Sequence, residues 1–284
     1  MRIIISVLFS VLTCIGLSAD TLDGIVRGKG DAGLGYATVL LKGRQTGVLA
    51  DSTGHFSLPA DRARPNDSIV VGYVGFKPQT VALADLDLAS GNNVITLEES
   101  TTALPELTVR PRKYKKQRHG KKHHTGMMKA SLDVGNIAGE TYGFEFHSKP
   151  GRALWLDNVG FYIEESDDMM KRMKFRVNIY DMSRVTGDVS DKFDNILPAP
   201  LTFEYRNEDV RDGTYTYRLP EMIRLPENAM VEIEALENRE GEAFAYRCNL
   251  LGKGSWSKTL EGDGLWIKST FAMPFFAECI ETEE

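Results

Sequence analysis

Between positions 173 and 180 apolar and polar residues alternate without a break, Met173, Phe175, Val177 and Ile179 against Lys174, Arg176, Asn178 and Tyr180. A period of two places the first four on one face of an extended strand and the others on the opposite face, a division no helix can reproduce. The same signature recurs through most of the chain. Tyr142, Phe144 and Phe146 alternate, as do Ile69, Val71 and Tyr73. No segment combines sustained 3.6-residue periodicity with helix caps. Turn residues punctuate the runs. Asp51-Ser52-Thr53-Gly54 separates segments 47–50 and 55–58, with Asp capping the turn and Gly accepting a positive φ. The chain is predicted to be all-β.

Three composition changes divide it. From 20 to 109 about seven short strands follow one another, a spacing that describes a β-sandwich. Residues 110–126 are polar, basic and without periodicity, so they are expected to form a solvated linker that self-repulsion keeps extended. From 127 to 284 eight or nine strands with long polar connections predict a second, jelly-roll-like sandwich. Within it, Leu154 and Leu156 are followed by Val159, Phe161 and Ile163, a pair of apolar runs around Asp157-Asn158.

The first residues point to export. Arg2 precedes an apolar run from Ile3 to Leu17, shorter than the about 20 residues that a membrane span needs and followed by small Ser18 and Ala19. Residues 1–19 are therefore read as a signal peptide, cut after Ala19 or Ser18. Val11-Leu12-Thr13-Cys14 is a poor match to a lipid-attachment box. In an oxidising compartment the remaining Cys248 and Cys279 are either a disulfide or two buried thiols. The expected location is the periplasm or the outer membrane.

Several blocks in order also resemble a known family. Gly24-Ile25-Val26, Gly33-Leu34-Gly35-Tyr36-Ala37-Thr38-Val39, Thr46-Gly47 and Ala50-Asp51-Ser52-Thr53-Gly54-His55-Phe56 look like the carboxypeptidase-like regulatory domain. Val70-Val71-Gly72-Tyr73-Val74-Gly75-Phe76-Lys77 is similar to that family's segment ending in Gly-Tyr-Lys or Gly-Phe-Lys, and Leu104-Pro105-Glu106-Leu107-Thr108-Val109 resembles its closing strand. The resemblance implies a prealbumin-like seven-stranded sandwich that is itself non-catalytic, of a kind found at the N-termini of Gram-negative envelope proteins. Such domains often precede an outer-membrane transporter barrel. About 160 residues follow here, fewer than a large barrel with its plug requires, so that role is not carried over.

Motifs of chemistry are scarce. Gly28-Lys29-Gly30-Asp31-Ala32-Gly33 spells a dinucleotide fingerprint, but strand-forming residues follow where a helix must begin, so it is read as a turn. None of His55, His119, His123, His124 and His147 has Glu three residues later, as a zinc carboxypeptidase requires. Glu164, Glu165, Asp167 and Asp168 form an acidic corner without calcium-loop spacing. No catalytic residue, cofactor or metal is expected.

Two features suggest contacts. Arg110, Arg112, Lys113, Lys115, Lys116, Arg118, Lys121 and Lys122 lie in a stretch without an acid, giving either a plain spacer or a strap that docks on an anionic membrane surface. With only Tyr114 as an aromatic there, nucleic acid is not an expected partner. Trp256, in Gly252-Lys253-Gly254-Ser255-Trp256-Ser257-Lys258, either folds over the core or stands exposed to grip a sugar ring or a protein. Trp155 and Trp266 are expected in the core. The functional expectation is a non-catalytic envelope binding or scaffold protein whose partner is an envelope protein or a glycan. A carbohydrate-binding module acting through Trp256, and a hydrolase with an unfamiliar carboxylate site, are the alternatives.

Overall fold

The computed structural model describes residues 21–88, 91–100, 107–108, 115–120, 128–190, 193–248, 255–261, 264–269 and 275–283. The expected signal peptide, Cys14, Arg110, Arg112, Lys113, Lys121, Lys122, His123 and His124 lie outside the described residues. Within them the chain forms strands and two short 3-10 turns, arranged as two β-sandwiches. Among the described residues no helix is long and apolar enough to cross a membrane.

The first sandwich holds β1 (Thr21–Arg27), β2 (Thr38–Leu41), β3 (Thr46–Leu49), β4 (His55–Pro59), β5 (Ser68–Gly72), β6 (Gln79–Ala82) and β7 (Asn93–Thr96). One sheet runs β4-β1-β7 and the other β3-β2-β5-β6. Alternation decides what goes between them: Leu22 and Val26, Val39 and Leu41, Phe56 and Leu58, Ile69 and Val71 all point into one apolar core. The glycine-rich stretch after β1 is a turn, with Gly30 and Asp31 both at positive φ.

The second sandwich holds β8 (Leu107–Thr108), β9 (Lys115–Gly120), β10 (Met128–Asp133), β11 (Thr141–His147), β12 (Arg152–Tyr162), β13 (Arg172–Asp181), β14 (Val189–Ser190) and β15 (Asp194–Asn195). It continues with β16 (Leu201–Arg206), β17 (Thr214–Arg224), β18 (Asn228–Ala235), β19 (Ala243–Cys248), β20 (Ser255–Lys258), β21 (Trp266–Ser269) and β22 (Phe275–Glu283). An eight-stranded sheet, β14-β21-β20-β11-β18-β13-β15 with β16 also on β13, faces a five-stranded sheet, β8-β17-β12-β22-β9. Phe144, Phe175, Val177 and Val231 from the first meet Leu156, Val159, Phe161 and Phe275 from the second. The two apolar runs around Asp157-Asn158 are one strand, β12. A bulge between Leu156 and Asn158 inserts Asp157 and resets the parity, so that Leu154, Leu156, Val159 and Phe161 all face inward.

Two expectations need correction. Leu107 and Thr108 do not close the first sandwich; they pair with Ile223 and Met222 at the edge of the second. The stretch read as a solvated linker contains β9, which pairs along β22 from Phe276↔Gly120 to Glu281↔Lys115. Repulsion along the basic run is offset by acids on its partner strands, an attraction invisible to a local reading. Of the two readings left open for the cysteines, Cys279 fits the buried thiol: it is free, with no exposed surface in the second core. Burial, and then the charges of Asp157 and Glu278, push its pKa up, which keeps it protonated and unreactive.

Candidate binding cleft between the two sandwiches

The first sandwich sits on the outer face of the eight-stranded sheet, and Tyr36 is one of the residues that join them. Its backbone is in the left-handed region, φ 63°, which turns its carbonyl and ring toward the second body. Arg176 Nη1 donates to the Tyr36 carbonyl at 3.1 Å, and Lys174 Nζ donates to the Tyr36 hydroxyl at 3.1 Å. Lys174 also pairs with Glu237 at 3.2 Å. Gly75 supports the same seam: at φ 84° it lies so close to the Pro198 carbonyl that any Cβ would overlap it. Val74, beside it, packs against the second core.

Behind Tyr36 lies a buried polar network. Arg176 Nε and Nη2 donate to Glu234 Oε2 at 2.9 and 2.7 Å, and Asn178 Nδ2 reaches the same oxygen at 3.1 Å. Asn195 then donates to Asn178 Oδ1 at 2.9 Å. Glu232, two residues before Glu234 and on the same face, is fully buried, and neither carboxylate oxygen has a hydrogen-bond partner of ordinary geometry. Burial first, and then the charge of Glu234, push its pKa up to about 8, against the opposing pull of Lys258 and Arg176. Two neighbouring carboxyls thus sit in different surroundings, Glu234 gripped by Arg176 and Glu232 buried with its pKa raised.

Beside this contact the bodies part to leave a cleft of about 850 Å³. β3 and β4, the edge strands of the two sheets of the first sandwich, form one wall together with Asp51 and Ser52; Asn136, Glu237, Asn238 and Leu260 form the other. The floor is acidic. The Thr53 hydroxyl, helped by the Thr53 and His55 amides, holds Asp51 below the usual carboxylate range. Hydrogen bonds from Ser57 and then Thr21 do the same for Asp23. Among the described residues no Lys or Arg lines the cleft, although Lys174 and Arg239 pair with Glu237 on its wall.

Of the residues singled out for contacts, the described ones, Trp256, Lys115, Lys116 and Arg118, lie in strands of the second sandwich. Trp256 is 1% exposed, because the segment read as a loop is strand β20 from Ser255 onward, paired with both β11 and β21. Its indole Nε1 donates to Glu145 Oε1 at 2.6 Å, and its ring packs edge-on against Phe193 in a cluster with Tyr180 and Trp266. Trp155 and Trp266 are buried, as expected. In the basic stretch, Lys116 pairs with the buried Asp157 at 3.0 Å and with Glu278 at 3.5 Å. Arg118 donates through Nε to Glu278 at 2.9 Å and through Nη1 to the Tyr162 hydroxyl at 2.7 Å, with its guanidinium 4.2 Å from the centre of the Phe276 ring. Lys115 is in the same strand. His119 packs against Phe146. Glu164, in the acidic corner, pairs with Arg247 at 2.7 Å. Among the described residues no group of three His, Cys, Asp or Glu is arranged to hold a metal ion.

Sequence reasoning did not single out Tyr36, Arg176, Glu232 or Glu234. Arg176 carried one signal, a guanidinium in the middle of the most regular strand, but a half-buried strand with a wet polar face explains it equally well.

The model of the CarboxypepD_reg-like domain matches residues 22–109. TonB-dependent receptor SusC of Bacteroides thetaiotaomicron is 35% identical over 109 residues, which is 36% of this chain and 10% of the receptor. The chain thus spans about a tenth of the length of the curated relative it matches. Among solved structures, one described as showing the promiscuous specificity of carbohydrate-binding modules of the β-sandwich superfamily is 10% identical. It covers 84% of this chain and 87% of its own, with a TM-score of 0.20, too low to relate the two folds. The order of the glycine-containing blocks, the seven-stranded sandwich they build and the match to the domain model agree: residues 22–109 are a carboxypeptidase regulatory-like domain.

Proposed function

We propose that this is an exported, non-catalytic cell-envelope protein that holds an extended polypeptide segment of an envelope partner in the cleft between its two sandwiches. The observation that carries this reading is the cleft's wall. β3 and β4 are both sheet edges, and an edge offers backbone donors and acceptors to an added strand. The volume of about 850 Å³ suits a short segment. Ionised Asp23 and Asp51, with no cation among the described residues of the walls, favour a neutral or basic segment. The domain shared with a TonB-dependent receptor supports an envelope setting.

A non-catalytic reading is supported by the place of the neighbouring carboxyls of Glu232 and Glu234, which are both buried and do not line the cleft. The sugar-gripping role of Trp256 loses its basis with that ring's burial.

Peptide arrays tiled across envelope proteins, run beside a glycan array, test the proposal. Binding of extended neutral or basic peptides is expected, with loss in Ser52→Trp and in Asn136→Trp, which fill the cleft from opposite walls. Peptide binding indifferent to both substitutions, or binding of glycans alone, would overturn it. So would turnover in a broad hydrolase screen.

A further inference from the structure

A second surface, at the far end of the β2–β3 hairpin, has a different chemistry. Lys42, Arg44, Arg62 and Arg64 are four of the seven Lys and Arg residues between positions 21 and 108. The fold gathers them from two turns, the hairpin at 42–45 and the loop at 60–67, around a groove of about 480 Å³ lined by Gly43, Arg44, Gln45, Arg62 and Arg64. Only two acids, Asp61 and Asp67, belong to these turns.

Asp67 does not cancel the groove so much as shape it. Arg44 Nε and Nη2 grip its two oxygens at 2.7 and 2.9 Å, and the Arg64 amide donates to it at 2.9 Å. One carboxylate therefore fixes the Arg44 guanidinium and ties the second turn to the first. It uses two of the five N–H donors of Arg44. Arg62 is 69% exposed, 3.9 Å from the equally exposed Asp61. Arg64 is exposed on the groove wall. Gly43 and Gln45, both at positive φ, turn the hairpin tightly enough to bring Arg44 over the loop.

We infer that this groove binds phosphate groups, with Arg44 as a fixed arm and Arg62 and Arg64 as movable ones. Arginine suits the task because its planar fork matches phosphate oxygens in pairs. The groove is a cationic surface separate from the basic stretch, where Lys116 and Arg118 are paired with Asp157 and Glu278. The phosphates come either from a soluble phosphorylated ligand or from lipid headgroups at a membrane surface.

Calorimetry with inorganic pyrophosphate and co-sedimentation with vesicles containing phosphatidylglycerol, both at low salt, distinguish the two sources. Binding of either probe, weakened about tenfold or more in Arg62→Ser/Arg64→Ser and by added salt, is expected. A control, Lys29→Ser/Lys77→Ser, removes the same charge elsewhere on the sandwich and is expected to bind normally. No binding of either probe, no loss in the Arg62/Arg64 variant, or equal loss in the control would overturn the inference.

Discussion

The two sandwiches treat polar side chains in opposite ways. In the first, Asn93 is the one buried polar residue among those described, tied down by bonds to the carbonyls of Asp23 and Asp87. In the second, Arg176, Asn178, Glu232 and Glu234 are all buried on the eight-stranded sheet. The difference follows from what covers each sheet. The outer faces of the first sandwich are largely wet, so alternation sorts its residues cleanly. The eight-stranded sheet of the second is covered on both sides, inside by its own core and outside by the aromatic cluster around Trp256 and by the regulatory-like domain. Polar residues on that outer face are buried by their neighbours rather than by their own character, and survive there by pairing, as Arg176 and Glu234 do, or by a raised pKa, as Glu232 does.

That contrast can be broken most forcefully at Arg176. Arg176→Met strands the buried Glu234 and severs the Tyr36 contact, so a loss of about 3–5 kcal/mol is expected in denaturant unfolding. Arg176→Met/Glu234→Met should recover most of it. An equally mild effect of the single change would mean that the outer face is wet after all.

Next in size is Gly75→Ala, which puts a Cβ against Pro198 at positive φ. A cost of at least about 1–2 kcal/mol is expected, with looser docking of the two bodies visible in small-angle scattering. Arg118→Ala removes the bonds to Glu278 and Tyr162 and the cover over Phe276, an expected loss of about 1–3 kcal/mol. Faster hydrogen exchange confined to β9 and β22 would show that the basic strand is held as described.

Glu232→Gln acts mainly through pH. The folded chain keeps a proton that an unfolded glutamate releases, so stability is fullest in acid and falls as pH rises toward and through about 8. The glutamine variant should lose this slope and exceed the parent in melting temperature near pH 9. A parent whose melting temperature does not fall between pH 6 and 9 would contradict the assignment. The smallest effect is expected in the first sandwich, where Lys77→Ala removes an exposed pair with Glu98 and should change stability by less than about 1 kcal/mol.

Much of the fold was legible one strand at a time. Ile69 and Val71 go inward as their spacing requires, Asp51 to Gly54 make the turn their chemistry favours, and the shift in period at Asp157 is the bulge. The sites were far less legible. Trp256 follows two glycines and a lysine, the company of a loop, yet belongs to a strand whose partners are more than a hundred residues before it and ten residues after. The basic stretch shows no apolar alternation because its strand is held by charge, by Asp157 and Glu278 on sheet neighbours far along the chain. No local pattern reports either fact.

By itself, then, the order of residues determined the alternating strands, their turns and the regulatory-like domain, because period-two alternation and turn geometry act over a few neighbouring positions. Tertiary structure alone decided which polar faces lose their water, where the cleft opens and which cations stay exposed. Those outcomes depend on which surfaces meet, and surfaces are made by strands from distant parts of the chain.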